Sequence, residues 1–299
     1  RFVVIGDCLL DVTVAPSGPI APAADVPARV TLGPGGQAAN VAVRLARRGA
    51  GVRLVAPNAD DAAGRLLREA LAADGIEVVP LATERSGTVV VLLDGAERTM
   101  LSQRAVFPPL ADALVQVAIA DAAWIHCSGY VFLDPCGAAV AAVLAERNSG
   151  TVLSVGGCTV APPDRARFLD ALTLARQDLL ILNRDEATSL GPGFGMVATD
   201  RDGSSATIGE LEIREPAIAG PTVDATGTGD AYAAGLIALL ADGPWPPREA
   251  PLREAMKAGA ALAHLVAGVA GAQAPVAGEA TVARDRTARS LPSAGGSRF

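Results

Sequence analysis

The sequence is organised around one stretch, Pro221-Thr-Val-Asp-Ala-Thr-Gly-Thr-Gly-Asp-Ala-Tyr-Ala-Ala-Gly235. Two glycines, Gly227 and Gly229, stand just before an apolar run from Ala231 to Ala241. That run predicts a helix, and because it is apolar on nearly every face, we expect the helix to be buried. A glycine-rich loop that enters a helix leaves several backbone N–H groups unpaired. Such a helix start attracts anions, phosphate above all.

Asp230 is the one acid at this otherwise apolar helix start. The helix dipole favours a carboxylate there, so we expect Asp230 to stay ionised. Taken alone, the segment is better explained as an ordinary helix start capped by Thr226 or Thr228, with Asp230 in its first turn. A functional interpretation therefore needs support from elsewhere in the chain.

A resemblance supplies that support, because Asp224-Ala-Thr-Gly-Thr-Gly-Asp230 is similar to the carboxy-terminal signature of the ribokinase-like (PfkB) carbohydrate kinases. The usual form is Asp-Thr-x-Gly-Ala-Gly-Asp, so Ala225 and Thr228 depart from it, both as small residues. In that family the Gly-x-Gly amides form an anion hole for the transferred phosphoryl group, and the final Asp takes the proton of the substrate hydroxyl. The resemblance gives the role of base to Asp230 and the anion hole to Gly227, Thr228 and Gly229.

Composition sets the broad class of the protein. The 299 residues, half of them hydrophobic, suit one large α/β domain, or one domain with a small appendage. The formal charge of −7 and the lack of a basic cluster argue against a nucleic-acid partner. We find no membrane span, and the strand-like start after Arg1 argues against a signal peptide. The four cysteines form no Cys-x-x-Cys pair, which favours reduced thiols in a cytoplasmic enzyme.

The amino-terminal strand, residues 2–6, ends beside two acids, Asp7 and Asp11. Open α/β sheets bind ligands at the carboxyl ends of their strands, although loop acids are more often caps. In ribokinase-like kinases the acid of a Gly-x-x-x-x-Asp start binds sugar hydroxyls, and Gly6 to Asp11 matches that spacing. The resemblance makes Asp11 the sugar-binding candidate, with Asp7 a weaker one.

A second glycine-rich stretch, Gly33-Pro-Gly-Gly-Gln-Ala-Ala-Asn40, leads into a predicted helix that ends at Arg48. It resembles the family's amino-terminal signature, Gly-Gly-x-x-x-Asn, and Gly35, Gly36 and Asn40 are carried over as substrate-binding. An alternative is a helix start with glycines for close packing. A dinucleotide fingerprint also fits loosely, but no acid follows about 20 residues on to hold a ribose.

Two segments predict a small β lid outside the main sheet. Residues 12–32 are strand-like pieces broken by prolines, and residues 88–101 form two β runs with a hairpin signal at Asp94-Gly95. In the family such a lid covers the sugar and sometimes forms a dimer clasp, which implies a homodimer through the lid. From residue 108 onward, strands alternate with helical segments, which predicts a mostly parallel sheet with helices on both faces.

The strand at 179–182 is followed by Asn183-Arg-Asp-Glu186, which resembles the family's Asn-x-x-Glu motif. In the family this pair organises Mg²⁺ and the nucleotide phosphates, so Glu186 would hold Mg²⁺ through water. The alternative is a helix cap at Asn183. An acid and an amide at a strand end suit Mg²⁺, which takes few protein oxygens.

The family has a helix and a strand before its Thr-x-Gly nucleotide loop, but Leu190 to Gly195 leaves no room for a full helix. Either this chain has lost the helix, or a stretch is absent from the numbering. Thr199 matches the family's threonine and Gly203 its second glycine, while Arg201 replaces the first. Ser154-Val-Gly-Gly157 lacks the Asp or Asn that the family often has there.

The remaining implications of the resemblance concern a cation and the chain's end. Asp224 and Thr226 would neighbour a monovalent cation, K⁺, beside a turn at Gly271-Ala-Gln273. Residues 1–283 form the expected kinase domain and 284–299 a flexible tail.

We therefore expect a three-layer αβα kinase with a β lid that uses ATP and Mg²⁺ to phosphorylate a hydroxyl of a small sugar or sugar-like alcohol. Two alternatives stay open: a nucleoside kinase of the same family, and a catalytically weak nucleotide- or sugar-binding protein on this fold.

Overall fold

The structure is a computed structural model that describes residues 1–94, 97–108 and 111–279. Gly95 of the predicted hairpin turn and the predicted tail, 284–299, lie outside the described residues. Within the described part, the chain forms a large central sheet, helices on both of its faces, and a small second sheet. This confirms the predicted three-layer α/β class.

The central sheet has nine strands in the described part of the chain. Seven neighbouring strands, all but the two that begin at Gly203 and Leu211, are mutually parallel. The strands lie across the sheet in the order β13 (Leu211–Pro216), β12 (Gly203–Ile208), β11 (Met196–Asp200), β10 (Leu179–Asn183), β9 (Val152–Gly156), β8 (Trp124–Cys127), β1 (Phe2–Ile5), β4 (Val52–Asn58) and β5 (Glu77–Ala82). The inner strands are buried on both faces because helices cover both, as parallel sheets require.

Two hydrophobic cores follow from this layering. One face of the sheet packs against α1 (Gln37–Arg47), α2 (Ala62–Ala73), α7 (Thr228–Leu240) and α8 (Glu249–Ala267). The other face packs against α3 (Ala111–Ile119), α4 (Gly137–Ala145), α5 (Arg165–Ala175) and α6 (Arg184–Leu190). The predicted burial of the apolar helix is confirmed, since nine residues of α7 are buried.

The second sheet is the predicted lid. It has the order β3 (Ala28–Gly35), β2 (Leu9–Pro16), β6 (Gly87–Asp94) and β7 (Glu97–Gln103). Leu9 and Val89 lie on its inner face and are buried, as is Val91. Asp11 pairs with Val89 in the β2–β6 register, so its side chain shares the face that is turned toward the body of the protein.

The structure adds two features that the sequence patterns did not predict. Residues 203–216 form the antiparallel hairpin β12–β13, which extends the sheet at one edge. Alternating apolar residues such as Ala206 and Ile208 carry that signal. Between Asn183 and β11 there is a helix after all, the seven-residue α6, so the connection is shortened rather than helix-free.

The described residues contain no helix with the length and apolar character needed to cross a membrane. Among them, all four cysteines are free thiols, and three are buried while Cys136 is half-buried. Burial raises the pKa of the Cys8 and Cys158 thiols to about 12, which makes both poor nucleophiles.

Candidate active site

The start of α7 presents unpaired backbone donors. Gly227 precedes the helix with a positive φ of 76°, and a Cβ there would lie 2.6 Å from the Cβ of Ala272. The Thr228 N–H donates to the Ala225 carbonyl at 3.3 Å. In the described part of the chain, the N–H groups of Gly229 and Asp230 have no protein acceptor, as expected for a first helical turn. A Cβ on Gly229 would meet open space.

Asp230 stands at the same helix start and lines a cavity of about 180 Å³. Its Oδ2 accepts a hydrogen bond of 2.7 Å from Nδ2 of Asn40, which lies on α1. The structure therefore brings the two glycine-rich stretches, 190 residues apart in sequence, into direct contact. Asn40 is itself buried, and its Oδ1 accepts from Nε2 of Gln273 at 2.9 Å.

The charge state of Asp230 differs from the sequence-based expectation. Part of the side chain reaches the cavity surface, but protein surrounds the carboxylate, and this burial raises its pKa to about 7. The hydrogen bond from Asn40 and the charge of Arg44 lower the pKa, while the carboxylates of Asp7 and Asp11 raise it. Burial outweighs the helix dipole because the dipole contributes only about 1 kcal/mol at a helix start. Asp230 thus titrates near neutral pH.

The predicted sugar acids lie at the start of α1. The Asp11 carboxylate packs against Gly35, where a Cβ would lie 2.1 Å from Oδ2. Gly36 has a φ of 98°, and a Cβ there would lie 2.6 Å from the Asp7 carbonyl oxygen. Both glycines therefore allow the loop with the two acids to approach the helix. Burial, and then the neighbouring Asp7 charge, raise the pKa of Asp11 to about 6.

Asp7, the weaker candidate, has the more elaborate surroundings, and they include residues that the sequence patterns did not single out. Its Oδ2 accepts hydrogen bonds from the Gln37 N–H at 3.2 Å and from Nη1 of Arg104 at 2.9 Å. The Arg104 guanidinium also stacks over the Tyr130 ring, 3.7 Å from its centroid. Arg104 follows the lid strand β7, so only the folded lid brings it to Asp7. Gln37 lies within the Gly-Gly-x-x-x-Asn motif, so the sequence did contain a signal that could have identified it.

Two residues that line the cavity each carry a buried polar atom with no partner among the described residues, Oε1 of Gln37 and Nε2 of His126. Both lie near Gly156, where a Cβ would be 2.9 Å from Gln37 Oε1 and 3.3 Å from His126 Nε2. Gln37 uses its Nε2 on the Gly157 carbonyl at 2.8 Å, and His126 Nδ1 contacts Ser154 Oγ at 2.9 Å. Burial lowers the pKa of His126 to about 4, so the imidazole is neutral. A side chain at Gly156 would therefore crowd both atoms, which accounts for the glycine at this position.

The Asn183 and Glu186 pair forms a capping box at the start of α6. The Asn183 side chain accepts from the Glu186 N–H at 2.8 Å, and Glu186 Oε2 accepts from the Asn183 N–H at 2.9 Å. The proposed cap and the proposed ligand role are therefore compatible, because both residues also line the cavity. Burial raises the pKa of Glu186. Among the described residues, its Oε1 accepts no hydrogen bond, so a single carboxylate oxygen fits a largely hydrated Mg²⁺.

The two predicted nucleotide-loop residues have different surroundings. Thr199, at the end of β11, lines the cavity and donates its hydroxyl to the Leu182 carbonyl at 3.3 Å. Gly203 does not line that cavity. It begins β12 with a φ of 144°, and a Cβ there would lie 2.1 Å from the Glu215 carbonyl oxygen. The close approach of β13 accounts for this glycine without a ligand.

Asp224 joins the loop before α7 to the turn at Gly271. Its Oδ1 accepts from the N–H and the hydroxyl of Thr226, at 2.8 and 2.6 Å, and its Oδ2 accepts from the Gly271 N–H at 2.9 Å. With donors on both oxygens, the carboxylate acts as a clamp between two loops. No group of three or more acidic, His or Cys residues in the described chain forms a metal cluster, and the K⁺ site beside Asp224 and Thr226 stays a prediction.

A glycine-rich helix start beside an acid, at the carboxyl ends of a parallel sheet and close to a small second sheet, fits a small-molecule kinase. The model of the pfkB family carbohydrate kinases matches residues 1–191 and 196–278. The chain therefore belongs to the pfkB family of carbohydrate kinases and is a phosphotransferase.

Individual relatives agree with the family. A fructokinase from Klebsiella pneumoniae is 29% identical over 273 residues, which cover 80% of this chain and 83% of the relative. A ribokinase from Giardia lamblia has a similar structure, with a TM-score of 0.78 at 14% identity over 96% of this chain and 99% of that one. An uncharacterized sugar kinase from Pyrococcus horikoshii, solved in complex with ATP, has a TM-score of 0.74 at 20% identity over 91% and 94% of the two chains. The fold of the chain is thus ribokinase-like.

Proposed function

We propose that this protein uses ATP to phosphorylate a hydroxyl group of a small sugar or sugar-like alcohol. One observation carries the proposal. Within a single turn of α7, the N–H of Gly229 has no acceptor in the described chain, a Cβ at Gly229 would meet open space, and Asp230 next to it is a carboxylate with a pKa of about 7. The first group suits an anion, and the second suits a general base, since a base works best when its pKa is near the working pH.

The floor of the cavity supports a hydroxyl-rich acceptor. Buried polar atoms are almost always paired, so Gln37 Oε1 and His126 Nε2 favour a ligand that both donates and accepts hydrogen bonds. An alcohol does both. Asp7 has a further buried oxygen, Oδ1, without a partner in the described chain, and Asp11 lies beside it. These groups are the candidates for the other hydroxyls of the acceptor.

The opposite side of the cavity supports the donor nucleotide. Asn183 and Glu186 stand at the end of β10, and Thr199 stands at the end of the adjacent β11. We assign the ATP phosphates to the space between these residues and Gly229, with Mg²⁺ held through water by Glu186. Bound Mg²⁺ would neutralise charge on the phosphate oxygens. Gly203 was carried over as nucleotide-binding, but its packing against β13 gives that assignment no support.

The reaction follows from these positions. The acceptor hydroxyl donates to Asp230, and its oxygen attacks the γ-phosphorus as the bond to the β,γ-bridging oxygen breaks. The hydroxyl proton moves to Asp230, and ADP leaves. The amides of Gly227 and Gly229 are assigned to the developing negative charge on the phosphoryl oxygens, where fixed donors are effective because they need no reorganisation. The Thr228 amide could join them only by giving up its 3.3 Å hydrogen bond to the Ala225 carbonyl. Most of the remaining rate enhancement comes from positioning, as is usual for phosphoryl transfer.

A sugar fits the site better than a purine nucleoside. Residues 3–106, which hold most of the expected acceptor contacts, contain no Phe, Tyr or Trp. Beside Asp7, the Arg104 guanidinium lies over one face of the Tyr130 ring. Residues 3–106 therefore offer a purine no aromatic ring on which to stack.

The test is a screen of acceptors with MgATP, measuring ADP release and phosphorylated product. Fructose, ribose, sugar acids and adenosine form the panel. We expect saturable phosphorylation of at least one sugar or sugar acid. Phosphorylation of adenosine with no sugar accepted would favour the nucleoside kinase. Binding of ATP and sugar without turnover would favour the non-catalytic alternative.

We also propose a homodimer through the lid, because its outer face is apolar and exposed. In the strand registers Val12 pairs with Leu32 and with Val90, and Val90 pairs with Leu101, so these side chains share one face. Leu32 and Leu101 are 59% and 56% exposed. A second copy of the lid would cover this surface.

Sedimentation of the parent and of Leu32→Glu tests the dimer. The parent should sediment as a dimer and the variant as a monomer. A monomeric parent would exclude the dimer.

A further inference from the structure

A chain of hydrogen bonds leads from Gln273 to the carboxylate of Asp230. Gln273 Nε2 donates to Asn40 Oδ1 at 2.9 Å, and Asn40 Nδ2 donates to Asp230 Oδ2 at 2.7 Å. Gln273 and Asn40 are both buried, 8% and 5% exposed. Gln273 and Asn40 are 233 positions apart in sequence, and through Asn40 the link reaches Asp230 at the start of α7.

The orientation of the Asn40 amide matters because its oxygen and its NH₂ group have nearly equal shape. If Asn40 rotated by half a turn, its carbonyl oxygen would face the Asp230 carboxylate, and the two acceptors would repel each other. The N–H of Gln273 prevents this by engaging Oδ1 of Asn40. Because water has little access to the pair, no solvent donor replaces it.

Gln273 is held in place by the helix that carries Asn40. The Gln273 carbonyl oxygen accepts from Arg47 Nη1 at 2.7 Å. The carbonyl oxygens of Ala272 and Ala274 accept from Nη2 of the buried Arg44, at 2.6 and 3.0 Å. The turn that carries Gln273 is therefore fixed against α1, and its side chain has a defined direction.

We propose that Gln273 is a positioning residue for phosphoryl transfer, which orients the Asn40 amide so that Asn40 holds Asp230 toward the acceptor hydroxyl. This inference rests on the proposed function, in which Asp230 is the base. Nothing in it requires Gln273 to touch either substrate.

The pH dependence of the reaction should report this role. The charged groups that face Asp230 are Asp7 and Asp11, which raise its pKa, and Arg44, which lowers it along with the Asn40 hydrogen bond. Without Gln273, Asn40 is free to rotate and its hydrogen bond to Asp230 weakens. The pKa of Asp230 then rises further, and a smaller fraction of the base is ionised at neutral pH.

The experiment compares Gln273→Met with the parent, measuring kcat and kcat/KM from pH 5.5 to 9 with saturating MgATP. Methionine keeps the volume but removes the donor. We expect kcat/KM at pH 7 to fall about fivefold to tenfold, the usual effect of one buried hydrogen bond, and the acidic limb to move to higher pH. Thr151→Val is the control, because it also removes one buried hydrogen bond, to the Ala122 carbonyl, but at the amino-terminal end of β9, away from the cavity that Gly156 lines. It should leave the pH profile unchanged.

Two further variants separate positioning from general destabilisation. In an Asn40→Ala background, Gln273→Met should have no additional effect on the pH profile, because Gln273 acts only through Asn40. Additive effects would overturn the proposal, as would a Gln273→Met profile equal to that of the parent. If Gln273→Met fails to fold, Gln273→Leu also removes the donor without adding a charge near Asp230, and it should shift the profile in the same direction. An unshifted Gln273→Leu profile would overturn the proposal equally.

One further variant, Asp230→Asn, distinguishes a failure of the positioning role from a failure of the proposed function. An Asp230→Asn variant with near-parental turnover would exclude Asp230 as the base. An inactive Asp230→Asn together with an unchanged Gln273→Met would exclude only the positioning role.

Discussion

Replacing Asp230 with asparagine should make the protein more stable at pH 8 while it destroys turnover. The ordinary pKa of an aspartate is 3.8, and the folded protein raises that of Asp230 to about 7. The folded state therefore holds the proton more tightly than the unfolded chain does. As pH rises from about 4 to about 7, the unfolded chain loses its proton first, and the parent loses stability across that window. Asparagine does not titrate, so the variant is spared this loss.

The size of the effect follows from the two pKa values. Their separation corresponds to at most about 4 kcal/mol above pH 7. Part of the Asp230 side chain reaches the cavity surface, where water screens the charge, so we expect about 2–3 kcal/mol. In Asp230→Asn, the amide oxygen of the introduced side chain would still accept from Asn40 Nδ2, which keeps the contact to α1.

The assay is urea unfolding of both proteins at pH 4.5, 6 and 8. The difference in unfolding free energy between variant and parent should widen with pH in favour of the variant, and other titrating groups cancel in that difference. A difference that stays flat, or a variant that is less stable at pH 8, would show that the helix dipole keeps Asp230 ionised and that the burial argument fails.

Turnover provides the second half of the same test. Loss of a general base costs about 10²–10⁴-fold in rate, so kcat with saturating ATP and sugar should fall by that factor. ATP affinity, measured by calorimetry, should stay close to that of the parent. Turnover within about tenfold of the parent would make Asp230 a helix cap. Loss of both turnover and ATP binding would make it a structural residue.

Three further predictions test other parts of the site. Gly229→Ala should fold with equal or slightly higher thermal stability, since its Cβ meets open space, yet lose about 10²-fold in kcat because the methyl group intrudes on the anion site. Gly227→Ala, with φ of 76° and a 2.6 Å contact, should instead lower stability by about 1–3 kcal/mol; equal melting temperatures for the two variants would contradict this pairing. Arg104→Met should raise KM for the sugar about tenfold and leave KM for ATP unchanged, because Arg104 holds Asp7; an unchanged sugar KM would remove it from the acceptor side. Sugar binding should protect lid amides in residues 9–35 from hydrogen exchange more than amides of α4, and equal protection would argue against lid closure.

The fold was predictable because its signals are local. Continuous apolar strands, such as 179–182, separated by helical segments indicate a parallel sheet covered on both faces. Proline-broken strands and an Asp-Gly pair indicate a separate lid. The hairpin β12–β13 was missed because Gly203 was interpreted as part of a nucleotide loop. Its surroundings are instead those of a strand so closely packed that a Cβ would lie 2.1 Å from a neighbouring carbonyl oxygen.

The site was predictable in outline, since the two glycine-rich stretches and the Asn183–Glu186 pair border one cavity. Its non-local members were not. Arg104 reaches Asp7 across 97 positions and Gln273 reaches Asn40 across 233. No spacing rule connects residues that far apart. Gln37 and His126 become informative only in the folded protein, where both line the same cavity and each has a buried polar atom without a partner in the described chain.

The pKa of Asp230 shows why local reasoning about a candidate active-site acid predicts a shift in the wrong direction. The helix dipole is visible in the sequence and favours ionisation, but burial, visible only in the folded protein, opposes it more strongly. The two substrates of the proposed reaction act on this balance in opposite directions. A phosphate anion at Gly229 would raise the pKa of Asp230 by like-charge repulsion, and an acceptor hydroxyl that donates to the carboxylate would lower it. In the proposed reaction, Asp230 would therefore favour its protonated form with ATP alone, and this form cannot activate a stray water. The acceptor would restore the ionised base, which would couple proton removal to the presence of the correct hydroxyl.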